Sequence, residues 1–323
     1  MQKRKLGNSG IEVSPLAFGG NVFGWSVNES SAFTLLDAFT SADFNFIDTA
    51  DMYSRWVPGN SGGESETIIG KWLRKSGKRD KVVIATKVGL DMGEGKKGLS
   101  KTYILHAVED SLKRLQTDYI DLYQSHTDDS STPLEETFEA YSQLIKQGKV
   151  RAVGASNYTA ERLAQSLKVS KAHDLPCYQS LQPHYNLYDR ADFEASLEPL
   201  CLKENIGVIS YYSLASGFLS GKYRSEKDVS KSRARGQGVI KYLNSRGLRI
   251  LDALDKIALH HHTTPASVAL AWLMARKSVT APIVSATSLK QLDELVASIS
   301  LKLDEATLRQ LDEASAYDKA KAA

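Results

Sequence analysis

Short runs rich in β-branched and aromatic residues alternate with longer stretches whose apolar residues recur every three or four positions. The short runs are Leu16–Gly19, Asn45–Thr49, Val82–Thr86, Tyr119–Gln124, Arg151–Gly154, Tyr178–Leu181, Gly207–Tyr211 and Ala281–Val284, eight in all. Most are apolar at nearly every position, the pattern of parallel strands covered on both faces. Between them, Ser31–Ala42, Lys101–Leu115, Leu134–Ile145, Ala160–Val169, Phe193–Leu202 and Leu289–Ile299 read as amphipathic helices. In the second of these, Ile104, Leu105, Val108, Leu112 and Leu115 share one face. Ser100 and Thr132 stand at N-cap positions, and Pro133 at a first helical position.

Strand alternating with helix predicts a parallel sheet, and eight such units predict closure into a (β/α)8 TIM barrel. Gly7-Asn8-Ser9-Gly10, between Lys3–Leu6 and Ile11–Ser14, reads as the turn of an N-terminal β-hairpin across the barrel base. The long polar segment from Ser213 to Ser245 follows the seventh strand and is expected over the mouth. Residues 246–277 carry two further helix patterns, with Pro265 opening the second, and residues 304–323 form a charged amphipathic helix. These are extra C-terminal helices on one domain spanning residues 1–323, a length common for a single barrel.

Composition changes this picture little. Apolar and charged fractions are those of an ordinary globular enzyme. Net charge is +3, and Lys and Arg are dispersed; the densest basic patch, residues 231–235, is short. A nucleic-acid or membrane surface is not expected. Two cysteines, Cys177 and Cys201, make neither a disulfide framework nor an unaided zinc site, and fit reduced thiols in a cytoplasmic protein. The first residues lack a signal-peptide pattern, and no apolar run reaches the roughly 18–20 residues of a membrane span. No interface signal stands out, so a monomer is the default.

Candidate chemistry lies at the strand ends. Asp48, Lys87 and His126 close three successive strand runs, and Tyr53 follows Asp48 by five residues. In a barrel these ends face one mouth. Taken singly, each has an ordinary structural explanation: a loop tyrosine, a capping aspartate, a hydrogen-bonded histidine. Together they can protonate a carbonyl oxygen as hydride reaches its carbon. A free phenol, with a pKa of about 10, is a weak acid near neutrality. Lys87 is expected to lower it, Asp48 to hold Lys87 charged, and neutral His126 to orient the substrate oxygen.

The pieces Phe46-Ile47-Asp48-Thr49-Ala50-Asp51-Met52-Tyr53, Ser65-Glu66-Thr67-Ile68-Ile69-Gly70, Ala85-Thr86-Lys87, Tyr119 through His126, and Gly154-Ala155-Ser156-Asn157 resemble, in order and spacing, the aldo-keto reductases. The likeness runs over nearly the whole chain. The loop after the seventh strand resembles the bacterial branch that includes potassium-channel β subunits. The resemblance implies a catalytic tetrad of Asp48, Tyr53, Lys87 and His126, with NADPH reducing an aldehyde or ketone, and NADH compatible. It implies that Ser156, Asn157 and Gln179 bind the nicotinamide carboxamide, that Tyr211 stacks on the ring, and that Gly20 and Asn21 approach the cofactor. It assigns the pyrophosphate to Tyr211 through Lys222, including Tyr212, Leu214, Ser216 and Gly217. Small residues there admit close backbone N–H groups, and Lys222 adds charge. Arg233 falls where an arginine pairs with the adenosine 2′-phosphate; Ser285, Thr287, Gln291 and Glu294 match an adenosine segment. Three departures appear: Ser213 for a usual proline, Ser285 for glycine and Leu295 for asparagine.

Two decoys are set aside. Gly93 to Gly98 fits G-x-G-x-x-G, but Gly93 comes six positions after Lys87 and Ser100 caps the helix beyond it, unlike a dinucleotide fold. His260-His261-His262 points in different directions on a helix and lacks a carboxylate partner, so no metal is expected. Phe23, Trp25 and Trp56, in loops after the first two strands, are expected to wall the substrate pocket. The alternatives are an alcohol or sugar dehydrogenase of the same fold, a cofactor-sensing regulatory subunit with slow turnover, and an unrelated barrel enzyme.

Overall fold

The computed structural model describes residues 1–231 and 236–317. Strands β1 (Arg4–Lys5) and β2 (Glu12–Val13) pair antiparallel as the expected hairpin. The barrel strands follow: β3 (Ala17–Gly19), β4 (Phe46–Asp48), β5 (Val83–Val88), β6 (Ile120–Ser125), β7 (Val150–Ser156), β8 (Ser180–Gln182), β9 (Gly207–Val208) and β10 (Ile283–Val284). They are all parallel, ordered β10-β3-β4-β5-β6-β7-β8-β9. Backbone bonds from Thr280 N to Val208 O (2.8 Å) and from Ile283 N to Ser210 O (2.8 Å) bring the last strand back to β9. The chain thus forms the eight-stranded barrel that the pattern predicts.

The helices are α1 (Glu29–Ser41), α2 (Glu64–Ser76), α3 (Lys101–Leu115), α4 (Leu134–Lys146), α5 (Ala160–Ala172), α6 (Glu198–Glu204), α7 (Ser245–His260), α8 (Pro265–Ala275), α9 (Leu289–Ala297) and α10 (Glu305–Ala314). Ser100 caps α3 by accepting from Tyr103 N–H. Thr132 is not a cap: its hydroxyl donates to Asp129 Oδ2 (2.7 Å), and α4 starts after Pro133, which lacks a capping side chain. Helix α2 is absent from the sequence expectation. At Gly70, in its middle, a Cβ would run into the backbone of Arg114 and Leu115, so glycine is what lets α2 lie against α3.

Two apolar cores follow from strand alternation. One fills the space between sheet and helices, with Phe18, Ile47, Ile84, Tyr123 and Val153 pointing outward. The other fills the barrel interior: Ala17, Phe46, Val83, Ala85, Leu122, Ala152 and Ile209, plugged from below by Leu6, Ile11 and Val13 of the hairpin. The interior turns polar at the strands' C-terminal ends.

Candidate active site

Alternation decides which polar residues enter the mouth. Asp48 aligns with Ala85 two residues before Lys87, and Lys87 aligns with Gln124. Gln124 aligns with Gly154, and Ser156 with Gln182. Residues of one register face inward together. Lys87 Nζ donates to Asp48 Oδ2 (2.7 Å), to Thr49 O (2.7 Å) and to Tyr53 Oη (3.0 Å). All three ammonium protons are therefore placed. Asp48 Oδ2 also accepts from Tyr53 Oη at 3.4 Å, while its Oδ1 accepts from Gln182 Nε2 (2.8 Å) and Gln124 Nε2 (3.4 Å). Sequence reasoning missed both glutamines and the Thr49 carbonyl.

Lys87 and Asp48 are fully buried, and Tyr53 is half-buried. Burial pulls Lys87 below its usual range, against the opposing pull of Asp48. Tyr53 departs from expectation. Its phenol is held well above 10, first by burial and then by the negative charge of Asp48, and not lowered by Lys87. It stays protonated across the neutral range. The His126 ring stands edge-on to Tyr53, with centroids 6.0 Å apart. Burial first, then the charge of Lys87, pulls His126 well below 6.5 and keeps it neutral. Its Nδ1 is buried without a partner.

Beside the tetrad, Asn157 Nδ2 donates to His126 O (3.0 Å) and to Ser156 Oγ (3.0 Å), and Tyr211 Oη donates to Asn157 Oδ1 (2.7 Å). Ser156 Oγ donates to Gln182 O (3.0 Å). Asn157 takes a left-handed φ of 57°, rare away from glycine. His184 stacks on Tyr211 (5.3 Å, 19°), with its Nε2 2.9 Å from Asp189 Oδ2, support that the sequence did not reveal.

Gln179 is a correction. It lies at the base, where its Oε1 accepts from Asn8 N–H (3.0 Å) and its Nε2 donates to Cys177 O (3.0 Å). Gln182, one residue beyond the expected strand end, occupies the mouth instead. Phe23 is a second correction: it is wholly buried and stacked on Phe18 at 5.4 Å, so it cannot touch substrate. Trp25 and Trp56 do meet at the mouth, edge to face at 5.6 Å, with Trp56 6.1 Å from the Tyr53 ring.

The remaining described cofactor candidates lie after β3, after β9 and after β10. Tyr212, Ala215, Ser216 and Gly217 all have positive φ, which turns this loop sharply. A Cβ on Gly217 would lie 3.2 Å from Lys222 Nζ, so the lysine folds over that glycine. Leu214 sits within the same turn and Ser213 Oγ donates to Ser210 O (3.0 Å). After β10, Ser285 Oγ lies 2.7 Å from Asn21 Oδ1 and 2.8 Å from Gly19 O. A Cβ on Gly20 would lie 2.8 Å from Ser65 Oγ, so the first βα turn leaves no room for a side chain. Thr287 Oγ1 donates to Gln291 Oε1 (3.0 Å), and Glu294 accepts from Ser267 through its carbonyl (3.2 Å). Arg233 lies outside the described residues.

Gly93 to Gly98 forms a loop ahead of α3, not a strand-to-helix turn. No group of three or more His, Cys, Asp or Glu able to hold a metal occurs among the described residues, and no described helix is long and apolar enough to cross a membrane.

A model of the aldo/keto reductase family matches residues 15–316. The chain is 32% identical to the protein named tas of Escherichia coli K12, over 97% of each chain. It is 33% identical to the uncharacterized oxidoreductase YrpG of Bacillus subtilis, over 97% of this chain and 95% of the relative. A probable voltage-gated potassium channel subunit beta from rice (Oryza sativa subsp. japonica) is 33% identical over 93% and 92%. With the barrel and the mouth geometry, these matches place the chain in the aldo-keto reductase family, the NAD(P)H-dependent oxidoreductases that act on small carbonyl compounds.

Proposed function

We propose that this protein reduces an aldehyde or ketone to an alcohol with NADPH, and that Tyr53 delivers the proton. The observation that carries the reading is the chain Asp48–Lys87–Tyr53, with an ammonium 3.0 Å from a protonated phenol beside a neutral imidazole. When bound, the nicotinamide supplies a hydride to the carbonyl carbon. The C=O π pair moves to oxygen, which takes the Tyr53 proton; the phenolate left behind sits against Lys87. Asp48 holds Lys87 in place and is itself held by Gln182 and Gln124. Neutral His126 offers a hydrogen bond to the substrate oxygen without competing as the acid. Solvent then restores the phenol proton. The same groups run in reverse for alcohol oxidation, with the Tyr53 phenolate as base.

The residues fit a nicotinamide dinucleotide. Ser156, Asn157 and Gln182 bring amide and hydroxyl groups to one spot beside Tyr211, suited to a carboxamide and a stacked ring. The turn at Ser216 and Gly217, with Lys222 folded over it, suits the pyrophosphate. Gly20, Asn21 and Ser285, which meet through the Ser285–Asn21 contact, and Thr287, Gln291 and Glu294 beyond them in sequence are the candidates for the rest of the dinucleotide. Arg233 is the candidate for the 2′-phosphate, which favours NADPH. Trp25 and Trp56 suit an uncharged, planar carbonyl substrate.

The test is a titration with NADPH and with NADH that follows tryptophan fluorescence, then turnover of each complex on reactive aldehydes. Saturation by NADPH, weaker binding of NADH and steady NADPH oxidation support the reading. Binding without turnover points to the cofactor-sensing alternative. Arg233→Ala weakens NADPH far more than NADH, and equal losses reject the 2′-phosphate assignment.

A further inference from the structure

Asp51 stands between Asp48 and Tyr53 in sequence yet plays no part in the tetrad. The residue is 2% exposed, and neither carboxyl oxygen has a hydrogen-bond partner. The Met52 N–H lies near enough to favour the ionised form, but makes no hydrogen bond of acceptable geometry with either oxygen. Buried carboxyls without donors are rare and costly, so a functional explanation is called for. The surroundings sharpen it. Glu66 on α2 engages Arg114 on α3 through Oε2 (2.7 Å) and Thr86 through Oε1 (2.6 Å). Arg114, whose charge acts on Asp51 more strongly than that of Lys87, is thus already paired with Glu66, and Asp51 has no ion pair among the described residues. The charge of Asp51 also raises the phenols of Tyr103 on α3 and Tyr123 on β6, and the Tyr123 hydroxyl is another buried group without a partner.

Asp51 is joined to Lys87 through the backbone. The β4–β5 ladder runs past the end of β4: Thr49 N donates to Ala85 O (2.8 Å) and Asp51 N to Lys87 O (3.3 Å). The backbone that carries Lys87 toward Tyr53 is thus pinned at the residue bearing the unpaired carboxyl. The two groups feel one another's charge.

We propose that Asp51 is a positioning residue for proton transfer, a buried carboxyl that acts on Tyr53 through Lys87 by the charge it carries. The proposal rests on the reductase reading. Burial and Glu66 push the Asp51 carboxyl up to about 8, so it is neutral in the resting protein at neutral pH. While it is neutral, Asp48 is the carboxylate that pairs directly with Lys87, and the ammonium remains able to stabilise the phenolate left when Tyr53 gives up its proton. Once Asp51 ionises, a second negative charge binds the ammonium and disfavours a phenolate nearby. Proton donation weakens as pH rises through this window.

The same proton also sets stability, with no turnover involved. The folded carboxyl holds its proton more tightly than the unfolded chain, whose value is about 4. Stability is therefore lost as pH rises from about 4 to about 8, and is level on either side.

The test compares the full-length parent with Asp51→Asn in two measurements. In turnover of NADPH with a reactive aldehyde, the parent's alkaline limb has its midpoint near 8, and the variant's limb moves to higher pH. At pH 9 the variant keeps roughly tenfold more of its own maximal rate than the parent does, the ratio set by one group titrating a unit lower. In thermal unfolding, the variant's advantage grows between pH 5 and pH 8. An active parent with the same limb in both proteins overturns the proposal and leaves the reductase reading standing. No turnover by the parent counts against both. The parent alone gives a further reading if the variant does not fold. An infrared band of a protonated, weakly hydrogen-bonded carboxylic acid persists at pH 7 and fades near pH 8; its absence at pH 7 overturns the proposal.

Discussion

Gln179, just before β8, and Gln182, at its end, are three residues apart and belong to different worlds. Gln179 sits at the base and ties Asn8 of the hairpin turn to the chain before the strand. Gln182 sits at the mouth and donates to Asp48 Oδ1, deep among charged groups. The contrast extends to the whole barrel. The base is an apolar plug of Leu6, Ile11 and Val13, whereas the mouth buries an ammonium, a carboxylate and an imidazole. One residue type thus serves stability or chemistry according to its height in the barrel. A shift of three residues both reverses the inward or outward direction and moves the side chain by about 10 Å along the strand.

Breaking the mouth has the larger effect. Lys87→Met removes the phenolate's counter-charge and strands the Asp48 carboxylate in a buried site. Turnover at neutral pH falls by several orders of magnitude, and unfolding free energy drops by about 3–5 kcal/mol, the loss typical of a broken buried pair. Steady-state kinetics with denaturant unfolding checks both; an unaffected rate removes Lys87 from its role. The glutamine pair is the sharpest probe of the comparison. Gln182→Ala lowers kcat/KM by about tenfold or more through the loss of a buried charge-assisted hydrogen bond. Gln179→Ala leaves kcat/KM within about twofold and costs about 1 kcal/mol of stability. Equal kinetic losses would erase the distinction between the ends.

Smaller effects belong to the base. Gly7 has a φ of 55°, and a Cβ there would collide with the Gln179 carbonyl. Gly7→Ala lowers the melting temperature by a few degrees, as for a loss of about 1–3 kcal/mol, with kcat unchanged. A fall in kcat would show that the plug reaches the chemistry. Least of all, Thr132→Ala weakens only the turn held by Asp129, and shifts stability by less than Ser100→Ala, which removes a true cap.

What could be read from sequence followed the same division. Runs apolar at nearly every position marked all eight strands to within a few residues, because burial on both faces leaves an unbroken signal. Asp48, Lys87 and His126 were legible because each interrupts such a run at its end. Register was not legible. No pattern in Tyr178–Leu181 says that the strand runs on to Gln182, or that Gln124 reaches Asp48 from the far side of Lys87. Helix α2 was missed because Gly70 and a polar first turn dilute its period; the reason for that glycine lies on α3. Phe23 was misread because the chain, through Gly20–Val22 directly after β3, lays the ring on Phe18 in the core between sheet and helices. The charge balance at Tyr53 was out of reach, since it depends on burial and on the 3.4 Å approach to Asp48.

The most direct measurement is the pair kcat and cofactor affinity for the parent and Tyr53→Phe, with NADPH and one reactive aldehyde. If Tyr53 is the proton donor at this mouth, kcat falls by at least about a hundredfold while cofactor affinity stays within about twofold. A variant that turns over at the parent's rate would contradict that role and move the proton to another group at the mouth, His126 first.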